Sequence, residues 1–102
     1  MVRKIDFREA GRILEEKKNA VLLDVREEDE YITGHAIDAR LLPVDEITPR
    51  LAAETLPEKD APILVYCRSG RRSRRAAALL ESLGYTELYD LGSLIGWPYG
   101  LE

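Results

Sequence analysis

The chain has 102 residues, of which 45% are hydrophobic and 33% charged, a composition typical of one globular domain. No apolar segment approaches the length of a membrane span, and the charged N-terminus predicts neither a signal peptide nor a transit peptide. A formal net charge of −4 argues against non-specific binding to nucleic acid, and a single cysteine excludes an internal disulfide. We therefore expect a cytoplasmic protein that binds neither nucleic acid nor membrane.

The first part of the chain predicts a strand, a helix and a second strand. Residues 3–5 are expected to form a short edge strand, after which Asp6 and Glu9 stand at the spacing of a helix-capping box. Apolar residues then recur at helical spacing as far as Lys17. The next apolar run, residues 20–25, is uninterrupted, which is typical of a strand that a parallel sheet buries on both faces.

The middle of the chain predicts shorter elements. Residues 27–32 are expected to form one or two helical turns ending at Gly34, with acidic residues in the first turn, where the helix dipole favours them. A short strand is predicted over residues 39–42. Residues 45–54 favour a helix, although Pro49 indicates either a break or a fresh helix start within it.

The last part of the chain predicts a buried strand, a loop, a helix and a final strand. Residues 62–66 form a second uninterrupted apolar run, which brings Cys67 to the carboxyl end of its strand. The loop is expected over residues 68–73, the helix over 74–84 and the last strand over 87–91. Strands that alternate with helices in this way predict an α/β sandwich, with a mostly parallel sheet of about five strands between helices on both faces.

The loop after Cys67 has the features of an anion-binding site. Main-chain N–H groups of such a loop, and of the first turn of the helix that follows, form a concavity that suits an anion. Five arginines and no acidic residue lie between Arg68 and Arg75, and this positive charge favours the thiolate form of cysteine. A lone cysteine beside a buried strand is most often an inert core residue. The glycine and the arginines that follow this one favour a nucleophile instead.

An ordered set of short motifs covers most of the chain from Val21 to Trp97. The set comprises Leu23-Asp24-Val25-Arg26, Glu30-Tyr31, Gly34-His35, Val65-Tyr66-Cys67-Arg68-Ser69-Gly70, Arg72-Ser73, Ala76-Ala77, Leu80, Leu83-Gly84-Tyr85, Leu91-Gly92 and Gly96-Trp97. In these motifs the chain resembles the single-domain members of the rhodanese family. Any one of the motifs alone is a weak signal, whereas their order along the chain is specific.

The resemblance implies a sulfurtransferase that carries sulfane sulfur as a persulfide on Cys67, with no metal or organic cofactor. It also implies an active loop of six residues counted from the cysteine. The candidate substrate-binding residues are Arg68, Ser69, Gly70, Arg71, Arg72 and Ser73. The residues expected to support the site are Asp24, Arg26, Glu30 and His35. We expect a monomer whose partners are a small anionic sulfur donor, such as thiosulfate, and a thiol, protein or cyanide acceptor.

Two other functions remain open at this point. The first is a phosphatase or an arsenate reductase. Cell-cycle dual-specificity phosphatases, which are fold relatives of the rhodanese family, have a loop one residue longer with an arginine six positions after the cysteine, where this chain has Ser73. A non-catalytic regulatory module could use the same fold without chemistry. Turnover of phosphate esters would favour the first alternative, and failure of the chain to take up sulfur from thiosulfate would favour the second.

One segment departs from the family pattern beside the predicted site. Residues 36–39 read Ala-Ile-Asp-Ala where the family usually has Ile-Pro-Gly-Ala, so the Ala36-Ile37-Asp38 turn is expected to differ in shape. Residues 1–100 are expected to form the single rhodanese-like domain. Leu101 and Glu102 are interpreted as a possible remnant of an expression vector, without a role.

Overall fold

The computed structural model describes residues 1–102 and contains five strands, four α-helices and one 3₁₀ turn. Along the chain these are β1 (Val2–Lys4), α1 (Phe7–Glu16), β2 (Val21–Asp24), α2 (Glu28–Thr33), β3 (Arg40–Leu41), the 3₁₀ turn (Val44–Glu46), α3 (Pro49–Thr55), β4 (Ile63–Cys67), α4 (Arg71–Ser82) and β5 (Leu88–Ser93). None of the helices combines the length and the hydropathy that crossing a bilayer requires.

The strands form one parallel sheet in the order β1-β5-β4-β2-β3, with the strand that carries the cysteine at its centre. Every residue of β4 is buried, because α3 and α4 cover one face of the sheet while α1 covers the other. Alternate residues of β4 therefore enter two separate cores. This architecture confirms the α/β sandwich that the sequence predicts.

The elements around the two apolar runs lie close to their predicted bounds. The run over residues 20–25 supplies β2, and the run over 62–66 supplies β4 with Cys67 as its last residue. The helix cap is also confirmed, since the Asp6 side chain accepts the N–H of Glu9 at 2.8 Å. These elements can be predicted from the sequence because an uninterrupted apolar run and a helix cap are both recognised from residues that are close together along the chain.

Two helices begin at positions that the pattern alone does not fix. The helix α3 begins at Pro49, with Thr48 as its cap, so the proline marks a fresh start after a separate 3₁₀ turn. The helix α4 begins at Arg71, three residues before the predicted Arg74. Its cap is Gly70 in the left-handed region (φ 92°), a conformation that glycine adopts without strain.

The C-terminal tail packs back against the domain. Trp97 contacts Phe7 of α1 edge to face, with ring centroids 5.3 Å apart. Leu101 forms an antiparallel bridge with Ala36, and the Glu102 N–H donates to the His35 carbonyl at 2.8 Å. These main-chain hydrogen bonds hold the tail beside α2, at the same edge of the sheet as Cys67.

Candidate active site

The Cys67 side chain lies between the core under α4 and the loop that follows β4. It is fully buried, and its sulfur accepts the N–H of Gly70 at 2.9 Å. The Cys67 carbonyl accepts the N–H of Leu94 at 3.1 Å, which ties the end of β4 to the segment after β5. The sulfur therefore lies beneath its own loop, in contact with a main-chain donor.

The main chain of the loop supplies four further N–H groups that have no acceptor. The N–H groups of Arg68, Ser69, Arg71 and Arg72 donate to no acceptor within the protein. The left-handed conformation of Gly70 turns the chain into α4, so the loop and the N-terminus of the helix meet at one place. A concavity of unpaired N–H groups at a helix N-terminus is suited to an anion or to the charged outer sulfur of a persulfide.

Ser73 faces the interior rather than the loop surface, which differs from the predicted substrate-binding role. Its side chain is fully buried, and Oγ donates to Asp90 Oδ1 at 2.8 Å while lying 3.1 Å from the Gly70 carbonyl oxygen. Asp90 Oδ1 also accepts the N–H of Gly92 at 3.0 Å. Ser73 thus anchors the first turn of α4 to β5.

Asp90 is a site residue that the sequence reasoning missed. It is 6% exposed and lies within the apolar run of β5, directly below the loop. A single carboxylate among apolar strand residues is the signal that could have indicated it, because a buried carboxylate requires hydrogen-bond donors nearby. The identity of those donors depends on the packing of α4 on β5.

The loop arginines divide into free and paired groups. Arg68 and Arg71 are exposed and make no ion pair with a carboxylate. Arg72, also expected to attract an anionic donor, instead makes two hydrogen bonds to Glu30, with Nη1–Oε1 at 2.5 Å and Nη2–Oε2 at 3.0 Å. The positive charge that remains available to a ligand in the loop therefore belongs to Arg68 and Arg71.

The Arg72–Glu30 pair joins the loop to α2. Hydrogen bonding from Arg72, together with the N–H of Glu27, lowers the pKa of Glu30 to about 2, although partial burial opposes the shift. The same pair raises the pKa of Arg72. Both groups are charged at neutral pH, so the pair fixes the position of the loop relative to α2.

Replacing Arg72 with alanine is expected to return the pKa of Glu30 toward its ordinary value of 4.5, which a carboxyl-detected NMR titration would measure. Because the folded-state pKa is depressed, the pair contributes its full stability above about 4.5 and loses it as the pH falls toward 2. The control is Arg75→Ala on the same helix, which removes an exposed pair with Asp45 of the 3₁₀ turn. An unchanged Glu30 titration in Arg72→Ala would contradict this assignment.

Asp24 and Arg26 form a second, more deeply buried pair at the end of β2. Asp24 is fully buried, and its carboxylate accepts from the Arg26 side chain, with Nη2–Oδ2 at 2.7 Å, and from the Arg26 N–H at 2.9 Å. The Tyr66 hydroxyl donates to the same carboxylate at 2.6 Å, and burial together with this bond raises the pKa of Tyr66. Arg26 also donates to the Gly34 carbonyl at 2.7 Å, so the pair connects two strand ends to the end of α2.

His35 is held at a distance from the cysteine by its own contacts. Its ring stacks on Tyr31 with centroids 3.7 Å apart, and Nδ1 lies 2.8 Å from the Tyr31 carbonyl oxygen. Nε2 lies 3.5 Å from the Glu102 carboxylate, so none of these contacts reaches Cys67. The structure also contains no group of three or more His, Cys, Asp or Glu side chains placed to hold a metal ion.

The segment that departs from the family pattern contains one residue with a left-handed backbone conformation. Asp38 stands where the family usually has glycine, and it is the only residue other than glycine with a positive φ, at 67°. Aspartate tolerates this left-handed conformation better than most residues. The Asp38 N–H donates to the Glu102 carboxylate at 2.9 Å, and the Ala36 N–H donates to the Tyr66 hydroxyl at 3.2 Å. The turn is therefore supported from both the tail and the sheet.

Comparisons with known proteins agree on one family. The rhodanese-like domain family matches residues 6–97. The chain is 36% identical over 98 residues to a sulfurtransferase of Allochromatium vinosum, covering 95% of this chain and 89% of that protein. It is 35% identical over 72 residues to the thiosulfate sulfurtransferase PspE of Escherichia coli, covering 71% of this chain and 68% of that protein.

Solved structures show the same relationship at the level of the fold. The NMR structure of the rhodanese-like domain of Alr3790 from Anabaena is similar with a TM-score of 0.85 and 29% identity, covering 100% of this chain and 80% of that one. A rhodanese with anions from Escherichia coli is similar with a TM-score of 0.75 and 29% identity, covering 81% of this chain and 96% of that one. With the fold, the loop and these relatives together, the chain belongs to the rhodanese-like domain family.

Proposed function

We propose that the protein is a sulfurtransferase that moves sulfane sulfur from an anionic donor to a thiol or cyanide through a persulfide on Cys67. The observation that carries this proposal is the position of the Cys67 sulfur, which accepts the Gly70 N–H beneath a loop with four unpaired N–H donors. The similarity to proteins named as sulfurtransferases supports the same reaction class.

The first step is attack of the Cys67 thiolate on the outer sulfur of thiosulfate or another sulfane donor. A bond forms between Sγ and the outer sulfur, the sulfur–sulfur bond of the donor breaks, and sulfite leaves with the electron pair. An approaching dianion is repelled by a thiolate, so local positive charge is needed to offset that repulsion. Arg68, Arg71 and the N-terminus of α4 supply it.

The second step returns the thiolate. The acceptor attacks the outer sulfur of the persulfide, the bond between that sulfur and Sγ breaks, and Sγ keeps the electron pair. The unpaired N–H groups of the loop stabilise the negative outer sulfur between the two steps. Neither step requires electrons or atoms beyond those of donor and acceptor. Because sulfite leaves before the acceptor reacts with the persulfide, the two steps predict ping-pong kinetics.

The arrangement of the loop argues against phosphoryl transfer. A phosphatase of related fold uses an arginine six positions after its cysteine, and that position here holds Ser73, which is buried against Asp90. Arg72, one position earlier, is engaged by Glu30. The side chains at both positions are therefore turned to other parts of the protein and not to a ligand in the loop.

Intact-mass measurement after incubation with thiosulfate tests the proposal directly. The protein is expected to gain the mass of one sulfur atom and to lose it on addition of cyanide, with formation of thiocyanate. A mass that stays unchanged with both thiosulfate and an organic persulfide would overturn the assignment and favour a non-catalytic module.

Removing both free arginines of the loop, as Arg68→Ala with Arg71→Ala, is expected to lower kcat/KM for thiosulfate by about tenfold, or about 1.4 kcal/mol. The reason is that these are the two unpaired arginines closest to Cys67 along the chain, whereas Arg74, also exposed and unpaired, lies further into α4. The dependence of kcat/KM on ionic strength should weaken in the same variant, because long-range attraction is screened by salt. Steady-state kinetics at several salt concentrations would measure both effects.

The control for this pair is Arg50→Ala, which removes an exposed arginine of α3 whose side chain is 87% accessible. Its kcat/KM should match that of the unmodified protein. Equal values for the double variant and the control would show that the loop arginines do not guide the donor.

A further inference from the structure

A surface groove of about 290 Å³ opens beside the active loop, between the end of α2 and the C-terminal tail. Leu94, Ile95 and Leu101 form its apolar side, and Arg68 borders it from the loop. Arg68 is the residue directly after Cys67, and the Leu94 N–H donates to the Cys67 carbonyl at 3.1 Å. Two lining residues of the groove are thus linked directly to the main chain of Cys67, Arg68 by the peptide bond and Leu94 by a hydrogen bond.

The apolar side of the groove is exposed and held in place. Ile95 is 76% exposed and Leu101 is 59% exposed, and because both line the same groove they form an exposed apolar patch. The bridge between Leu101 and Ala36 fixes the tail on one side. On the other side, the Ile95 N–H donates to the Ser93 side chain at 3.1 Å. An apolar group of another molecule can therefore pack here without first ordering the tail.

The groove also has an excess of one positive charge. Glu30 is neutralised by Arg72, and Arg26 is neutralised by Asp24. Of the three charged residues that line the groove, this leaves only Arg68 without an ion-pair partner. A carboxylate placed beside the apolar contact would complement that charge.

We propose that this groove docks the sulfur acceptor, and that the acceptor is a segment of a partner protein with a cysteine flanked by an apolar residue and an acidic residue. The proposal rests on the proposed sulfurtransferase function. At about 290 Å³ the groove lies at the lower end of the roughly 300–1,000 Å³ typical of small-molecule cavities, and it is open along the surface, so it can take one side chain of an extended segment. The apolar side chain lies against Ile95 and Leu101, and the carboxylate meets Arg68.

Docking in this way presents the partner's cysteine to the loop. The partner thiolate forms a bond to the outer sulfur of the Cys67 persulfide, and the bond from that sulfur to Sγ breaks. Sγ keeps the electron pair as a thiolate, while the partner carries the persulfide away. Cyanide needs no such docking surface, since it is small enough to enter the loop alone.

Two synthetic peptides and two variants test the proposal. One acceptor peptide has leucine and aspartate beside its cysteine, the other has serine and lysine in those places, and cyanide serves as the reference acceptor. Ile95→Ser changes the groove, and Ile32→Ser is the matched control because Ile32 is 71% exposed on α2 and does not line the groove. Both variants should keep the rate with cyanide, which also shows that they fold.

The unmodified protein should prefer the leucine-aspartate peptide by about tenfold in kcat/KM. Ile95→Ser should lose most of that preference, whereas Ile32→Ser should keep it. Two results would overturn the docking proposal and leave the sulfurtransferase function standing. One is a peptide preference in Ile95→Ser equal to that of the unmodified protein. The other is an equal kcat/KM for the leucine-aspartate peptide and for free 2-mercaptoethanol. Failure of the unmodified protein to form thiocyanate from thiosulfate and cyanide overturns the sulfurtransferase function, and the docking proposal with it.

Discussion

Replacing Cys67 with serine is expected to abolish both the uptake of sulfur from thiosulfate and the formation of thiocyanate. The rate should fall by at least roughly a thousandfold, since a hydroxyl is a far weaker nucleophile at neutral pH and forms no persulfide. No other residue can replace the lost function, because the chain has no second cysteine. Intact-mass analysis and a thiocyanate assay on the same sample would measure the two losses together.

The fold should survive this substitution. Serine is close to cysteine in size, and its oxygen can accept the Gly70 N–H that now meets the sulfur at 2.9 Å. Urea unfolding should therefore show a loss of no more than about 1–2 kcal/mol. Thiocyanate formation that persists in the folded variant would show that sulfur passes through some other group, and it would remove Cys67 from the mechanism.

The central strands could be predicted from the sequence because their burial leaves a local signature. A strand covered on both faces has no polar side, so residues 20–25 and 62–66 read as continuous apolar runs. The position of Cys67 at a strand end follows from the second run. Parallel pairing then follows from the alternation of strands with helices, which places the carboxyl ends of β2 and β4 at one edge.

Long-range polar contacts left no comparable signature. Ser73 stands in a polar segment that indicates a loop, yet it is the first buried residue of α4. Its side chain donates a hydrogen bond to Asp90, which lies on a strand much later in the chain. Arg72 reads as a free cation among several arginines, and only the position of Glu30 on α2 shows that it is paired. Such pairings depend on how elements pack, which residue spacing does not determine.

The electrostatic arrangement of the site explains why the paired and the free charges have different roles. Buried or partly buried ion pairs hold the loop and the strand ends in place, but they carry no net charge to attract an anionic ligand. Arg68 and Arg71 lack such partners and remain exposed, so they can respond to an anion that approaches the loop. We therefore expect substitutions of the paired residues to lower the stability of the fold, and substitutions of the free arginines to lower the rate with an anionic donor.

Replacing Asp24 with alanine is expected to lower the free energy of unfolding by about 3–5 kcal/mol. The Arg26 side chain is 12% exposed, and without Asp24 its charge would remain in the interior with no carboxylate to neutralise it. The Tyr66 hydroxyl, also buried, would lose its acceptor at 2.6 Å. Because domains of this size are stable by only about 5–15 kcal/mol, urea unfolding should show a large fall in the midpoint.

Two further variants separate this effect from the simple loss of an ion pair. Glu54→Ala removes an exposed partner of Arg50 and should change the free energy of unfolding by less than about 0.5 kcal/mol, because water screens that pair. Asp24→Leu combined with Arg26→Met removes both buried charges and should lose less than Asp24→Ala alone, since no unpaired charge is left in the interior. If Asp24→Ala costs less than about 1 kcal/mol, Arg26 reaches solvent in the variant and the carboxylate does not organise the strand ends.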